Sequence, residues 1–384
     1  SEMDKGTREL DTHLVISCQS SAETYSERLN IDSSTARTQL RRDLETFYGK
    51  EHGWTGLLNK AVTRARDAYL GQERSEDLFD MPEPMGETLL IPPFLVADGA
   101  TVLFGDGSSG KSYIALAMAL CSAYGIEFCG YRTPELRVLY VDYEDSGPNL
   151  KRRAERLGRA LGLPAVGVYY FGARGIPLKD QWEAIKRSCD RNGIGWIIVD
   201  SAAPACGGPP EDAVAALAFF RALKRIGLPA LVIAHITKSG VENTQKPFGS
   251  IFWHNEPRRT WYVKRIQEED SDVIDIGLYC RKVNDGTKPL PVGLHLTFEG
   301  TGGPVIFEPM SLSATPELLS ETSVRSQIWE ALSRPLTIGQ LVEDTSIAYK
   351  TLERALKDGP FIVTGQTQPS TGKPANLWSR QSNR

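Results

Sequence analysis

The spacing of hydrophobic and polar positions divides the chain into segments of different period. Between Leu95 and Phe298, short β-branched runs alternate with stretches of helical period. The runs Thr101–Phe104, Arg137–Asp142, Val166–Phe171, Trp196–Asp200 and Ala230–Ala234 predict strands. Lys111–Tyr124, Gly147–Leu161, Lys179–Asn192 and Glu211–Ile226 predict helices. Such alternation predicts an α/β domain with a mostly parallel sheet covered by helices on both faces. Trp261–Ile266, Val273–Cys280 and Val292–Phe298 have no helices between them, which predicts antiparallel strands extending that sheet.

The flanking segments read differently. Residues 1–75 read as a helical amino-terminal module, basic in patches, with Glu23–Tyr48 forming two helices around an Asn30–Ser33 turn. Ser33 or Ser34 would cap the second helix, which carries Arg37, Arg41 and Arg42. A helix-turn-helix and a packing or oligomerisation module both fit that pattern. Residues 76–94, within an acidic, proline-containing stretch, read as a linker to a central domain at 95–310. In residues 316–384, helices are expected at Val324–Leu332, Thr337–Glu343 and Ser346–Lys357, then a hairpin from Phe361–Gly365 and Asn376–Ser379. Three helices and a hairpin in that order spell a winged helix. Its third helix carries Lys350, Arg354 and Lys357, and its wing tip Lys373, so DNA contact and protein packing both stay open.

Composition narrows the function classes. Over 384 residues the net charge is −4, so the chain as a whole does not coat a polyanion, and any nucleic-acid contact is local. The six cysteines are scattered without a CxxC pair, which predicts reduced thiols rather than a disulfide or zinc framework. No signal peptide and no apolar run of bilayer length is evident, so the expected setting is cytoplasmic, with no membrane partner.

The chemistry centres on VLFGDGSSGKSYIALAMAL (Val102–Leu120): strand, glycine-rich loop, apolar helix. The loop fits GxxxxGK[ST] at Gly105, Gly110, Lys111 and Ser112. Such a loop turns its N–H groups toward phosphate oxygens, and the following helix adds its positive end. Gly105, Asp106, Gly107, Ser108, Ser109, Gly110, Lys111, Ser112 and Tyr113 are thus the expected cradle for ATP. Lys111 would reach the β- and γ-phosphates, and the Ser112 hydroxyl would ligate Mg2+. GWIIVDS ends an apolar strand in Asp200, the second expected magnesium ligand. A water-polarising carboxylate is expected at the end of VLYVDYEDS, where Asp142, Glu144 and Asp145 cluster; Glu144 is the choice. His235 ends the strand in VIAHITKSG and would meet the γ-phosphate as a sensor. Two long glycine- and proline-containing segments, Pro204–Asp212 and Lys238–Gly249, follow Asp200 and His235, and Lys238 and Lys246 are candidates for a phosphodiester backbone. In GSIFWHNEPRRTWYVKR, Arg258 and Arg259 start a strand outside that site, where one of them could serve a neighbouring subunit's γ-phosphate.

Together these residues resemble the RecA-fold P-loop ATPases of the RepA-like hexameric replicative helicase group, over roughly residues 90–300. The resemblance implies a RecA-like core, ATP and magnesium as cofactors, a homo-oligomeric ring (a hexamer), and single-stranded DNA as partner. It assigns Lys111 and Ser112 to phosphate and Mg2+, Asp200 to the metal, Glu144 as catalytic base and His235 as phosphate sensor. The arginine finger falls on Arg258, with Arg259 as alternative. LYCRKVNDG resembles a strand bearing further trans-acting basic residues, which makes Arg281 and Lys282 a second option. Ala234 stands where the group often has a second histidine. The function so implied is a DNA helicase or translocase in replication. An ATP-switched DNA-binding adaptor or loader, and a ring ATPase acting on protein, are the alternatives.

Overall fold

The structure, a computed structural model, describes residues 11–17, 24–30, 33–71, 89–164, 166–236, 246–247, 249–367 and 374–381. The chain divides into two compact units, Ser1–Met85 and Gly86–Arg384.

The first unit pairs β1 (Asp11–Ser17) with β2 (Thr24–Asn30) antiparallel, followed by α1 (Ser34–Tyr48) and α2 (Trp54–Gly71). The expected helix before the Asn30–Ser33 turn is therefore a strand, so the module is not all helical. Backbone pairing wins there: Tyr25 lies opposite Ile16, its N–H donates to the Tyr48 hydroxyl, and that hydroxyl donates to the Ile16 carbonyl. Helix α1 starts as expected, with the Ser33 hydroxyl accepting from Ala36 N at 3.2 Å. A small core of Leu40, Leu44, Trp54 and Leu58 closes the unit.

In the second unit, β3 (Leu89–Ile91) and β4 (Leu95–Val96) form a short hairpin leading into β5 (Ala100–Gly105). Then follow α3 (Lys111–Tyr124), β6 (Arg137–Asp142), α4 (Gly147–Leu161), β7 (Val168–Gly172), α5 (Leu178–Asn192) and β8 (Ile194–Asp200). After β8 come α6 (Ala202–Ala205), α7 (Ala213–Ile226), β9 (Ala230–His235), α8 (Phe252–Asn255) and β10 (Arg259–Ile266). The run ends with β11 (Val273–Val283), β12 (Val292–Phe298) and β13 (Val305–Met310). These strands build one nine-stranded sheet in the order β13-β12-β11-β10-β5-β9-β8-β6-β7. Helices α3 and α4 pack on one face and α5 and α7 on the other, each over its own apolar layer. Strand β5 is buried along its whole length, as a central strand covered on both faces must be. The result is an α/β fold with a RecA-like core.

One expectation about the sheet is corrected. Strand β10 runs parallel to β5, with Arg259 opposite Thr101 and Val263 opposite Gly105; the expected antiparallel pairing begins on its other side, with β11, and continues through β12 to β13. Parallel neighbours need a crossover. The stretch between His235 and Arg259, which contains α8, supplies it by returning the chain to the edge where β5 starts.

Beyond the sheet, α9 (Pro316–Leu319) buries Leu318 in the sheet's own apolar layer, so these residues belong to the sheet domain rather than to the carboxy-terminal helices. Helices α10 (Val324–Ala331), α11 (Ile338–Thr345) and α12 (Tyr349–Asp358) and the hairpin β14 (Phe361–Gln366) and β15 (Asn376–Arg380) follow in the expected order. They enclose a separate core that includes Ile328, Leu341, Leu352 and Phe361.

The β3–β4 hairpin is strapped to β10. Trp261 Nε1 donates to the Phe94 carbonyl at 3.2 Å, and Arg259, 5% exposed, donates to the Pro93 carbonyl. Arg258 points outward instead, 46% exposed, between Asp98 (3.2 Å) and Asp285 (3.4 Å). Losing a buried charge-assisted hydrogen bond costs about 2 kcal/mol, whereas an exposed ion pair is worth under about 1 kcal/mol. Urea unfolding should therefore show Arg259→Ala destabilised by about 2 kcal/mol and Arg258→Ala near wild type. Equal losses would contradict the strap.

Candidate active site

Parallel pairing brings four strand ends level. Gly105 at the end of β5 lies opposite His235 at the end of β9, and Asp200 at the end of β8 lies opposite Asp142 at the end of β6. A cleft of about 540 Å3 opens above these ends. Its walls include Lys111, Ser112, Glu144, Asp200 and His235, so the residues expected to do the chemistry converge.

The loop between β5 and α3 is shaped by two glycines. At Gly105 a Cβ would stand 2.4 Å from the Val263 carbonyl, and Gly110 has φ 88°, a left-handed conformation that disfavours a side chain. The Lys111 ammonium folds back into the loop, donating to the carbonyls of Gly105 (3.0 Å) and Asp106 (2.6 Å) and to Ser109 Oγ (3.2 Å). Burial pushes its pKa down to about 8, against the pull of Asp200, Glu144 and Asp106.

Asp200 Oδ2 accepts hydrogen bonds from the Ser112 hydroxyl at 2.7 Å and from the Tyr140 hydroxyl. Its Oδ1 is buried and has no hydrogen-bond partner. Burial raises the carboxyl's pKa, and the two hydroxyl hydrogen bonds oppose that shift. A buried carboxylate oxygen without a donor, beside a serine hydroxyl, suits a hard cation. Among the described residues no group of three or more His, Cys, Asp or Glu side chains could hold a metal by itself. That fits magnesium, which takes one or two protein ligands and completes its shell with phosphate and water. Ser112 and Asp200 are the residues that would hold it.

The three carboxylates after β6 separate by role. Asp142 Oδ1 accepts the backbone N–H groups of Glu144 (3.1 Å) and Asp145 (2.9 Å), which fixes the turn. Asp145 accepts from Ser146 N and Asn149 Nδ2 and pairs with Arg153 at 2.9 Å. Glu144 and Asp145 both line the cleft, but Asp145 is engaged by Arg153 and Asn149, whereas Glu144 Oε1 accepts the Ser201 hydroxyl and lies 3.3 Å from His235 Nε2. The His235 contact, with help from Ser201 and Lys111, holds its pKa below the usual carboxylate value. The carboxylate is thus ionised at neutral pH and ready to accept a hydrogen bond from water.

The other candidates lie elsewhere. Arg258 immediately precedes β10, whose far end flanks the loop, roughly 15 Å away at about 3.3 Å per residue. Arg259 is spent on Pro93, and its burial removes it as a trans-acting group. Lys282 is corrected likewise: its ammonium donates to the carbonyls of Asn255 and Pro257 in its own chain. Arg281 pairs with Glu321 at 3.0 Å and lies over the rings of Tyr262 and Tyr279. Lys246 is exposed, and Lys350 and Arg354 are exposed on α12, away from the cleft's lining; Lys238 and Lys373 lie outside the described residues.

Sequence reasoning gave no role to Tyr140, Arg153 or Arg265, and offered Ser201 only as a cap of the next turn, whereas its hydroxyl donates to Glu144. Arg265, next to last in β10, donates to the Ser108 carbonyl at 2.5 Å, while Arg153 lies 5.6 Å over the Tyr113 ring. Strand alternation could have flagged Arg265, since Val263, two residues earlier, abuts Gly105. Nothing in the spacing points to Arg153.

Residues 72–241 match the sequence model of the AAA domain family, a span that holds the loop, Glu144, Asp200 and His235. No curated protein matches the chain. Among solved structures the chain is similar to the KaiC-like protein PH0186 of the hyperthermophilic archaeon Pyrococcus horikoshii. The two are 12% identical, over 57% of this chain and 94% of that one, with a TM-score of 0.40. Within the matched segment, the loop and the acidic residues of the cleft have the form of a P-loop nucleotide site.

Lys111 gives the site a pH signature. Phosphate binds the charged ammonium, so a lysine with pKa about 8 must take up a proton when nucleotide binds above that pH. Affinity for ATP should be level between pH 7 and 7.5, then weaken with a slope approaching tenfold per pH unit above about 8. Calorimetry in buffers of different ionisation enthalpy would register the proton uptake. A flat profile to pH 9.5 would contradict it.

Proposed function

We propose that the chain is a ring-forming ATPase that moves along single-stranded DNA, a translocase or helicase of the replicative kind. The observation that carries the ATPase half is the convergence of Lys111, Ser112, Asp200 and Glu144 on one cleft. In this reading the loop amides and Lys111 hold the β- and γ-phosphates. Ser112 and Asp200 would hold a magnesium ion, which when bound would neutralise charge on the phosphates. Glu144 orients and polarises the attacking water, and His235, in contact with Glu144, reports the γ-phosphate to the segment that follows it.

Arg258 supports assembly. It lies at the opposite end of β10 from its own chain's cleft and is partly exposed, so a γ-phosphate within its reach belongs to another subunit. The ring would place Lys238 and Lys246, in the segment after His235, on the DNA. A second reading is favoured by α12, where Lys350 and Arg354 lie exposed on the third of three helices before a hairpin, the order of a winged helix. There the winged helix binds DNA and ATP governs loading, without unwinding.

The test is steady-state ATPase activity of gel-filtered protein of known mass, with and without single-stranded DNA. Stimulation by DNA at a ring-sized mass is expected, with strand displacement separating translocase from loader. A flat response would contradict DNA action and turn attention to a protein substrate. Glu144→Gln should still bind ATP while turnover falls by about a hundredfold or more, the scale of a lost general base. Unchanged turnover would remove Glu144 from the chemistry.

A further inference from the structure

The chemistry above leaves Tyr140 unused. It stands in the middle of β6, 1% exposed, in the same apolar layer as Val138, Trp196 and Ile198. A phenol in such a place must find an acceptor for its hydroxyl, a demand that another aliphatic residue would not make. The acceptor is Asp200 Oδ2, the oxygen that also takes the Ser112 hydroxyl. Asp200 is thereby pinned from two elements, the sheet through Tyr140 and the start of α3 through Ser112. Its two oxygens are used unequally: Oδ2 has two donors, and the buried Oδ1 has none. The last torsion of an aspartate is broad, so a single donor would leave the carboxylate free to rock. Two donors on one oxygen fix which oxygen stays open.

We infer that Tyr140 is a positioning residue that holds Asp200 with Oδ1 available to a divalent cation. The inference rests on the reading of the cleft as a magnesium–nucleotide site. It concerns cation affinity and leaves the hold of the loop on the phosphates untouched.

Tyr140→Phe keeps the ring and removes the hydroxyl. A fluorescent, non-hydrolysable ATP analogue is bound to the full chain, once in EDTA and once across a magnesium titration. The variant should match wild type within about twofold in EDTA, while the magnesium concentration for half of the cation-dependent gain rises about tenfold or more, as for other lost outer-shell partners. In an Asp200→Ala background the same change should add nothing, because the tyrosine acts through that carboxylate. An unchanged half-point, equal weakening with and without magnesium, an additive effect in the double variant, or a Tyr140→Phe chain that does not fold by circular dichroism would each overturn the inference. Wild-type protein that binds no nucleotide would overturn the proposed function and this inference together; wild-type binding with an unmoved half-point would overturn this inference alone.

Discussion

Lys111 is a buried cation, 5% exposed as a residue, and the working edge of the sheet is arranged around it. Burying a cation is unfavourable unless acceptors surround it. Here the carbonyls of Gly105 and Asp106 close on it, and Asp200 and Glu144 contribute negative potential. Those carbonyls can reach the lysine only because Gly105 lets the chain turn flush against β10 and Gly110 takes the left-handed conformation that starts α3. A polyphosphate offers the ammonium stronger acceptors than two peptide carbonyls do. The same charge therefore holds the loop together and makes it a receptor for anions.

The acidic side of the cleft depends on strand register in the same way. Glu144 is held by Ser201, just past β8, and by His235 at the end of β9, while Asp142 holds the turn that carries it. A one-residue slip of any of these strands would reverse its side chains and dissolve the cluster. Register also links the cleft to the carboxy-terminal region. Lys264 pairs with Glu321 at 2.9 Å, Arg281 pairs with the same carboxylate, and the Tyr279 hydroxyl donates to the Leu318 carbonyl at 2.5 Å. The next residue of β10, Arg265, holds the Ser108 carbonyl of the loop. One strand thus touches the phosphate loop on one side and the segment leading to the carboxy-terminal helices on the other.

The parts legible in the sequence were those fixed by local chemistry. The loop announces itself because few residue types tolerate its backbone, and Asp200 because an apolar run ending in a carboxylate is conspicuous. In the acidic cluster, Asp145 and Ser146 read as caps of the following helix, which leaves Glu144 as the choice; that Asp142 holds the turn is visible only in the structure. Partners from distant segments stayed hidden: no spacing rule ties Tyr140 to Asp200, or Ser201 to Glu144. The adjacent arginines 258 and 259 are chemically alike, and only strand alternation sends one outward and the other into the β3–β4 strap. The strand at Thr24–Asn30 was missed because a polar seven-residue stretch carries little period of its own, and its pairing with β1 decides.

The most direct measurement is equilibrium binding of a non-hydrolysable ATP analogue to the full chain beside its Lys111→Ala variant, both shown to be folded. Saturable binding by the wild type and none measurable by the variant is the expected result. Equal affinity in the two would contradict the assignment of the cleft, because the ammonium on which the loop closes would then have no part in holding phosphate.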